Sequence, residues 1–283
     1  MSEATRSPSL EELARAAAAG DRGALEQVCT AIRDPIYRLS LRMLSSPADA
    51  EDCTQDVMVQ VVTHLGSFEG RSKLMTWVYR IASRHLMRTR RREVESSVRG
   101  AEAFAEWLDT NLADQPWQAE SDAEYRELCQ EVRLGCTYGM LLCLSRELRL
   151  AYILGDVLEL TDKEGAAALE ITPAAFRQRL KRARETVRPI ILGRCSVFDP
   201  AGTCRCDRQI EPSLRHGIIP PSGPVLTRLP CVREVAREPR FVRAAAQLDV
   251  VERFAEGFRD DPAFAAPASV TEHLRSACPD LFD

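Results

Sequence analysis

Apolar residues recur three and four positions apart along most of this chain, and that spacing restricts the fold more than any other feature. Leu25, Val28, Ile32, Ile36, Leu39 and Met43 set it first. A helix turns once in about 3.6 residues, so such a spacing gathers the side chains into one stripe. It returns in Val57, Val61, Val62 and Leu65, in Leu74, Trp77, Val78, Ile81 and Leu86, and in Phe176, Leu180, Ala183 and Val187. Strong helix formers are abundant and β-branched runs scarce, so the expected fold class is all-α.

Start and stop signals divide the pattern. Ser9 with Glu12, and Thr161 with Glu164, have the three-residue offset of a capping box. Ser46-Pro47 and Thr172-Pro173 place an N-cap residue before a proline at the first helical position. Gly20-Asp21 and Gly66 interrupt. Ser72 is expected to cap a fourth helix running to Arg92.

Four blocks follow from these signals. Residues 9–92 form a first helical block. Residues 93–124 form an acidic, weakly structured linker: from Glu93 to Glu131 there are 11 acidic residues against Arg99 and Arg126, which disfavours a packed core there. Residues 125–192 form a second block, with helices expected over Tyr125 to Leu144 and Arg146 to Glu159. Its last two helices, either side of a tight turn at Glu170 to Thr172, have the layout of a helix-turn-helix. Residues 193–283 form a tail, with helices expected over Phe241 to Phe258 and Val270 to Ala277. The first ten residues lack an apolar signal core and no run suits a membrane span, so a cytoplasmic protein without membrane contact is expected.

The net charge of −4 conceals strong segregation. The fourth helix carries Lys73, Arg80, Arg84 and Arg88, with Arg71 before it and Arg90 to Arg92 after, and no acid until Glu93. Such a face neutralises phosphates, and Trp77, Tyr79 and His85 among the charges suit the stacking of unpaired bases. A solvated basic face with Trp77 in the core is the equally simple alternative. The helix from Pro173 is better defined. Its apolar stripe leaves Arg177, Gln178, Lys181, Arg182 and Arg184 to project elsewhere, and Arg and Gln are the usual readers of guanine and adenine in the major groove. Asp49, Glu51, Asp52 and Asp56, with Gln55, cluster at the start of the third helix. The helix dipole accounts for part of that, and the excess suits a docking face for a basic partner.

Together these features resemble the extracytoplasmic-function group of the sigma-70 family. The first block resembles region 2 in PADAEDCTQDVMVQVV (47–62) and FEGRSKLMTWVYRIASRHLMRTRRR (68–92). The second resembles region 4 in LSRELRLAYILGDVLELTDKEGAAALEITPAAFRQRLKRAR (144–184). The resemblance implies a sigma factor that brings core RNA polymerase to promoters. Asp49, Glu51, Asp52, Gln55 and Asp56 would bind the clamp helices of the β′ subunit, and the second block would meet the β flap. Lys73, Trp77, Arg80, Arg84 and Arg88 would engage and melt the −10 element of promoter DNA. Arg177, Gln178, Lys181, Arg182 and Arg184 would contact the −35 element. Cys53 stands where members often have Leu, and Arg84 near where many have Asn, which leaves the identity of the captured −10 base open.

The tail goes beyond the family's minimal form. Cys195, Cys204 and Cys206 lie within twelve residues and can ligate zinc, with His216 or Cys231 as fourth ligand. Reduced thiols without metal and a redox pair are the alternatives. Cys129, Cys136 and Cys143, seven residues apart on one helix, read as small core residues. The tail is expected to regulate the two blocks in cis, and an anti-sigma partner is the other candidate regulator. A helix-turn-helix regulator independent of polymerase is the competing reading. No glycine-rich phosphate loop, zincin helix or nucleophile motif supports an enzyme.

Overall fold

The computed structural model describes residues 7–90, 95, 98, 100–232 and 249–282, and among them it is all helical but for two isolated bridges. The first block contains α1 (Leu10–Ala18), α2 (Arg22–Leu44), α3 (Pro47–His64) and α4 (Leu74–Arg88). Then come α5 (Ala101–Thr110), α6 (Asp122–Leu142), α7 (Arg146–Tyr152), α8 (Asp162–Leu169) and α9 (Pro173–Ile191). The tail adds α10 (Cys206–Arg215), α11 (Val250–Arg259), α12 (Ala268–Ala277) and α13 (Pro279–Phe282).

The start signals act as expected. Ser9 and Thr161 make full capping boxes, Ser46 accepts from the Asp49 N–H, and Thr172 accepts from the Ala175 N–H. The expected start and end of α4 do not hold. Lys73, not Ser72, stands at its N-cap, and the helix stops at Arg88. Arg91 and Arg92 lie outside the described residues, as do 241–248 of the helix expected from Phe241.

One apolar cluster runs from Ala14 to Cys278 through both blocks and the tail. The linker is more ordered than its charge suggests. Ala105 and Leu108 are buried on α5, and Phe104 and Trp107 pack against the core. Beyond it the N–H groups of Ala113 and Trp117 donate to the carbonyls of Arg208 and Asp207 in α10. Burying one amphipathic face outweighs the unfavourable composition around it. Helix α10, in a part of the tail for which no helix was expected, covers α6 with Ile210 fully buried. The expected helix over Arg146 to Glu159 is α only to Tyr152, and a π turn over Ile153–Val157 follows.

The two blocks are joined by a buried ionic cluster. The Arg146 guanidinium meets Glu95 and donates to the carbonyls of Leu86 (2.8 Å) and Thr89. The Arg149 guanidinium reaches Glu95 (3.0 Å), Leu141 (2.9 Å), Leu144 (3.0 Å) and Met43. All three side chains are buried. Burial pushes the Glu95 carboxyl up, but Arg146 and Arg149 outweigh it and hold the group below the usual carboxylate range.

Candidate nucleic-acid interface

Three surfaces carry the residues singled out above. The first is α9 and its support. Phe176, Leu180, Ala183 and Val187 are all buried, as their spacing requires. Helix α8 leads into α9 through Glu170 in the left-handed region (φ 56°). A Cβ at Gly165 would stand 2.3 Å from the Phe176 ring, so only glycine allows α8 this close. Arg177, Gln178, Lys181, Arg182 and Arg184 all project to solvent. Several are held by acids: Arg177 meets Asp162 at 3.1 Å, and Arg184 grips Asp156 through two hydrogen bonds of 2.9 and 2.5 Å. Lys181 faces Glu185 at 3.8 Å on its own helix.

The second surface is a cavity of about 420 Å3 against α4, lined in part by Trp77, Arg80, Arg84, His85 and Arg88. Trp77 is half-buried, with its ring 5.7 Å from Phe68, so it is wall and core residue at once. His85 is bonded to Gln60 (3.1 Å) and lies 3.5 Å from Asp56; burial lowers its pKa against the pull of that carboxylate, which favours neutral imidazole. An aromatic plane beside three guanidiniums is the chemistry of an unpaired base and its phosphates. Lys73 stands outside the cavity, 2.8 Å from Glu164.

The third surface is α3. At about 100° per residue, Glu51, Gln55, Asp52, Asp56 and Asp49 follow one another around its outer half. Asp52 and Asp56 are exposed, while Glu51 and Gln55 are partly covered. Glu51 is met by Ser269 of the tail, a partner that local sequence spacing does not disclose, and Gln55 donates to Glu51 (3.4 Å).

The surfaces are not free of one another. Helix α8 lies on α4: Arg80 donates to the Ala167 carbonyl (3.1 Å), Arg84 pairs with Glu170 through two bonds, and Lys73 pairs with Glu164. The hydrogen bonds from Arg84 hold the Glu170 carboxyl below its ordinary range, and those from Lys73 and Thr161 bring Glu164 down to about 2.

The tail cysteines do not fit a zinc site. Cys195 and Cys204 face each other across a backbone bridge and Cys206 opens α10. Among the described residues, however, no group of three or more Cys, His, Asp or Glu is placed to hold a metal ion. Burial pushes the Cys195 thiol up, Cys204 to about 11 and Cys206 to about 12, which keeps them protonated at neutral pH. His216 is bonded to Asn111 (3.1 Å) and packs on Trp107, and Cys231 is exposed. Cys129, Cys136 and Cys143 are half-buried and pack against the apolar clusters.

The fold and these surfaces define an all-α protein of the helix-turn-helix class. A family model described as Sigma-70 region 2 matches residues 29–95. The chain is 27% identical over 176 residues to the ECF RNA polymerase sigma factor SigW of Bacillus subtilis, covering 60% of this chain and 89% of that protein. It is 28% identical over 172 residues to the ECF RNA polymerase sigma-E factor of Escherichia coli, covering 59% and 86%. To the RNA polymerase sigma-H factor of Pseudomonas aeruginosa it is 26% identical over 172 residues, again 59% and 86%. These matches make the chain similar, over about three fifths of its length, to the extracytoplasmic-function sigma factors of the sigma-70 family. These matches cover 86–89% of each relative but only 59–60% of this chain. Among the described residues no helix is long and apolar enough to cross a membrane.

Proposed function

We propose that this protein directs core RNA polymerase to a set of promoters, working in the cytoplasm beside the polymerase. Residues 9–92 act as region 2 and 125–192 as region 4, with the acidic linker between them and the tail after them. Asp49, Glu51, Asp52, Gln55 and Asp56 dock on the β′ clamp helices, and the second block meets the β flap. The cavity of Trp77, Arg80, Arg84 and Arg88, with Lys73 at its approach, takes up the unpaired −10 strand. Arg177, Gln178, Lys181, Arg182 and Arg184 read and hold the −35 element. The polymerase performs the catalysis. The observation that carries this reading is a fully capped helix-turn-helix with an exposed basic face, on the same chain as a basic aromatic cavity in the region-2 match.

Transcription with purified core polymerase on genomic promoter fragments tests it. Transcripts that start at a defined subset of fragments, only when the protein is added, are the expected result. Duplex binding without any polymerase-dependent transcript would favour a regulator instead. Two substitutions refine the assignment. Reversing the exposed Asp52 and Asp56 to lysine should weaken binding to core polymerase and leave the circular dichroism spectrum unchanged; unaltered affinity would remove α3 from the docking role. Arg177→Ala should cost about 1–3 kcal/mol at one base pair of the −35 element. A loss spread evenly over all sequences would make Arg177 a phosphate contact.

A further inference from the structure

The tail touches both blocks at the places they would need free. Helix α12 packs along α3, burying Val270 and Leu274, and Ser269 donates to the Glu51 carboxylate. Around it, Arg33 donates to Thr271 (3.2 Å), the Ala266 N–H to Asp34 (3.2 Å), and Arg275 faces Glu26 at 3.4 Å. Helix α11 clasps the two blocks together. Phe258 stacks on Tyr138 with centroids 6.0 Å apart, and Phe254 lies 5.9 Å from Tyr152. Arg42 of the first block donates to the Phe258 carbonyl (2.8 Å), and Arg259 donates to the Asp156 carbonyl of the second (3.2 Å).

This closed arrangement is incompatible with promoter binding. The −10 and −35 elements are named for positions about 25 base pairs apart, which is roughly 85 Å at ~3.4 Å per base pair. Here α4 and the α8–α9 pair touch directly, so both readers cannot be engaged at once. An incoming helix is about 10–12 Å across with its side chains. It cannot lie along the Glu51–Gln55 edge of α3 while α12 is there.

We infer that residues 249–282 are an intramolecular inhibitor: α12 competes with the polymerase for α3, and α11 holds the two blocks closed until it is displaced. The inference rests on the reading of α3 as the polymerase-docking face. Apparent affinity for the polymerase is then the intrinsic affinity reduced by the small fraction of open molecules, so weakening the tail contact tightens binding.

The test uses the full chain with Val270→Glu, which places a carboxylate in the α12–α3 seam. Amide exchange over 47–64 reports release of the tail, and fluorescence anisotropy with labelled protein reports affinity for purified core polymerase. Faster exchange with a dissociation constant lowered about tenfold or more is expected. Faster exchange with unchanged affinity overturns the inhibitor and leaves the docking reading intact. Faster exchange with no binding by either form removes the docking reading, and the inhibitor with it. Should Val270→Glu not fold, Arg275→Glu against Glu26 decides. It should tighten binding about two- to fivefold, as an exposed pair allows, and the added Glu26→Arg should restore the parent value. No change in either variant overturns the proposal.

Discussion

Replacing Glu95 by alanine lowers the stability of the folded chain by about 3–5 kcal/mol, the cost of stranding buried charge when its partner is removed. Glu95 pairs with both Arg146 and Arg149, and all three side chains are buried. Without it two buried guanidiniums lose the carboxylate they share and keep their bonds to backbone carbonyls. At roughly 2–4 °C per kcal/mol for a chain of this size, the thermal midpoint should fall by about 6–20 °C. A drop of only a degree or two would mean that water enters the seam and replaces the carboxylate. The seam joins the blocks, because the Met43, Leu86 and Thr89 carbonyls come from the first and both arginines from the second. Glu95→Ala should therefore bind polymerase more readily while it is less stable, a pairing that a purely local defect would not produce. The pH dependence has a definite sign. The Glu95 pKa is depressed in the fold, so its stabilisation is present above the unfolded carboxylate range near 4.3 and is lost as pH falls below it. That acid-dependent part of the loss should be missing in the variant.

What the sequence disclosed and what it hid divide along a physical line. Capping pairs, the proline at the first turn of α3 and α9, and the stripe of Phe176, Leu180, Ala183 and Val187 are local signals, and the structure realises each of them. They suffice for an all-α fold and a helix-turn-helix with Arg177, Gln178, Lys181 and Arg182 outermost. Partners far along the chain leave no such trace. Nothing near Arg84 announces Glu170, nothing near Arg188 announces Asp249, and nothing near Glu51 announces Ser269. The linker misled for a related reason. Its charge argued for disorder, yet Ala105 and Leu108 with Phe104 and Trp107 make one apolar face, and the surface that face needs is supplied by α6, α9 and the tail. The zinc reading failed because sequence proximity of Cys195, Cys204 and Cys206 fixes neither the direction of their thiols nor their burial. The helix ends of α4 and of the segment after Tyr152 were misplaced because a helix terminus is decided by contacts, not by propensity alone.

The second large effect should come from Glu131, a buried carboxylate on α6 that organises the tail. It accepts from three consecutive N–H groups, those of Val225 and Leu226 at 2.9 Å and Thr227 at 2.8 Å. Three successive amides converging on one carboxylate fix the path of a stretch that has no helix or strand to satisfy its backbone. Each such charged hydrogen bond contributes about 1.5–3 kcal/mol, and the losses do not add in full. Glu131→Ala should cost about 3–5 kcal/mol. The reason it should not cost more is the adjoining cavity of about 820 Å3, walled by Phe104, Trp107, Val132, Ile219 and Leu226, through which water can reach the freed amides. Urea unfolding checks this through a lower midpoint at unchanged slope. A loss near zero would show that the amides find other acceptors, and that Leu226, not Glu131, anchors the segment. Glu131→Gln separates charge from shape: it keeps an acceptor of the same reach and gives up the ionised oxygens. If it recovers most of the loss, the carboxylate acts by position. If it recovers little, the negative charge holds the three amides, and the tail is tied to α6 by electrostatics at that point.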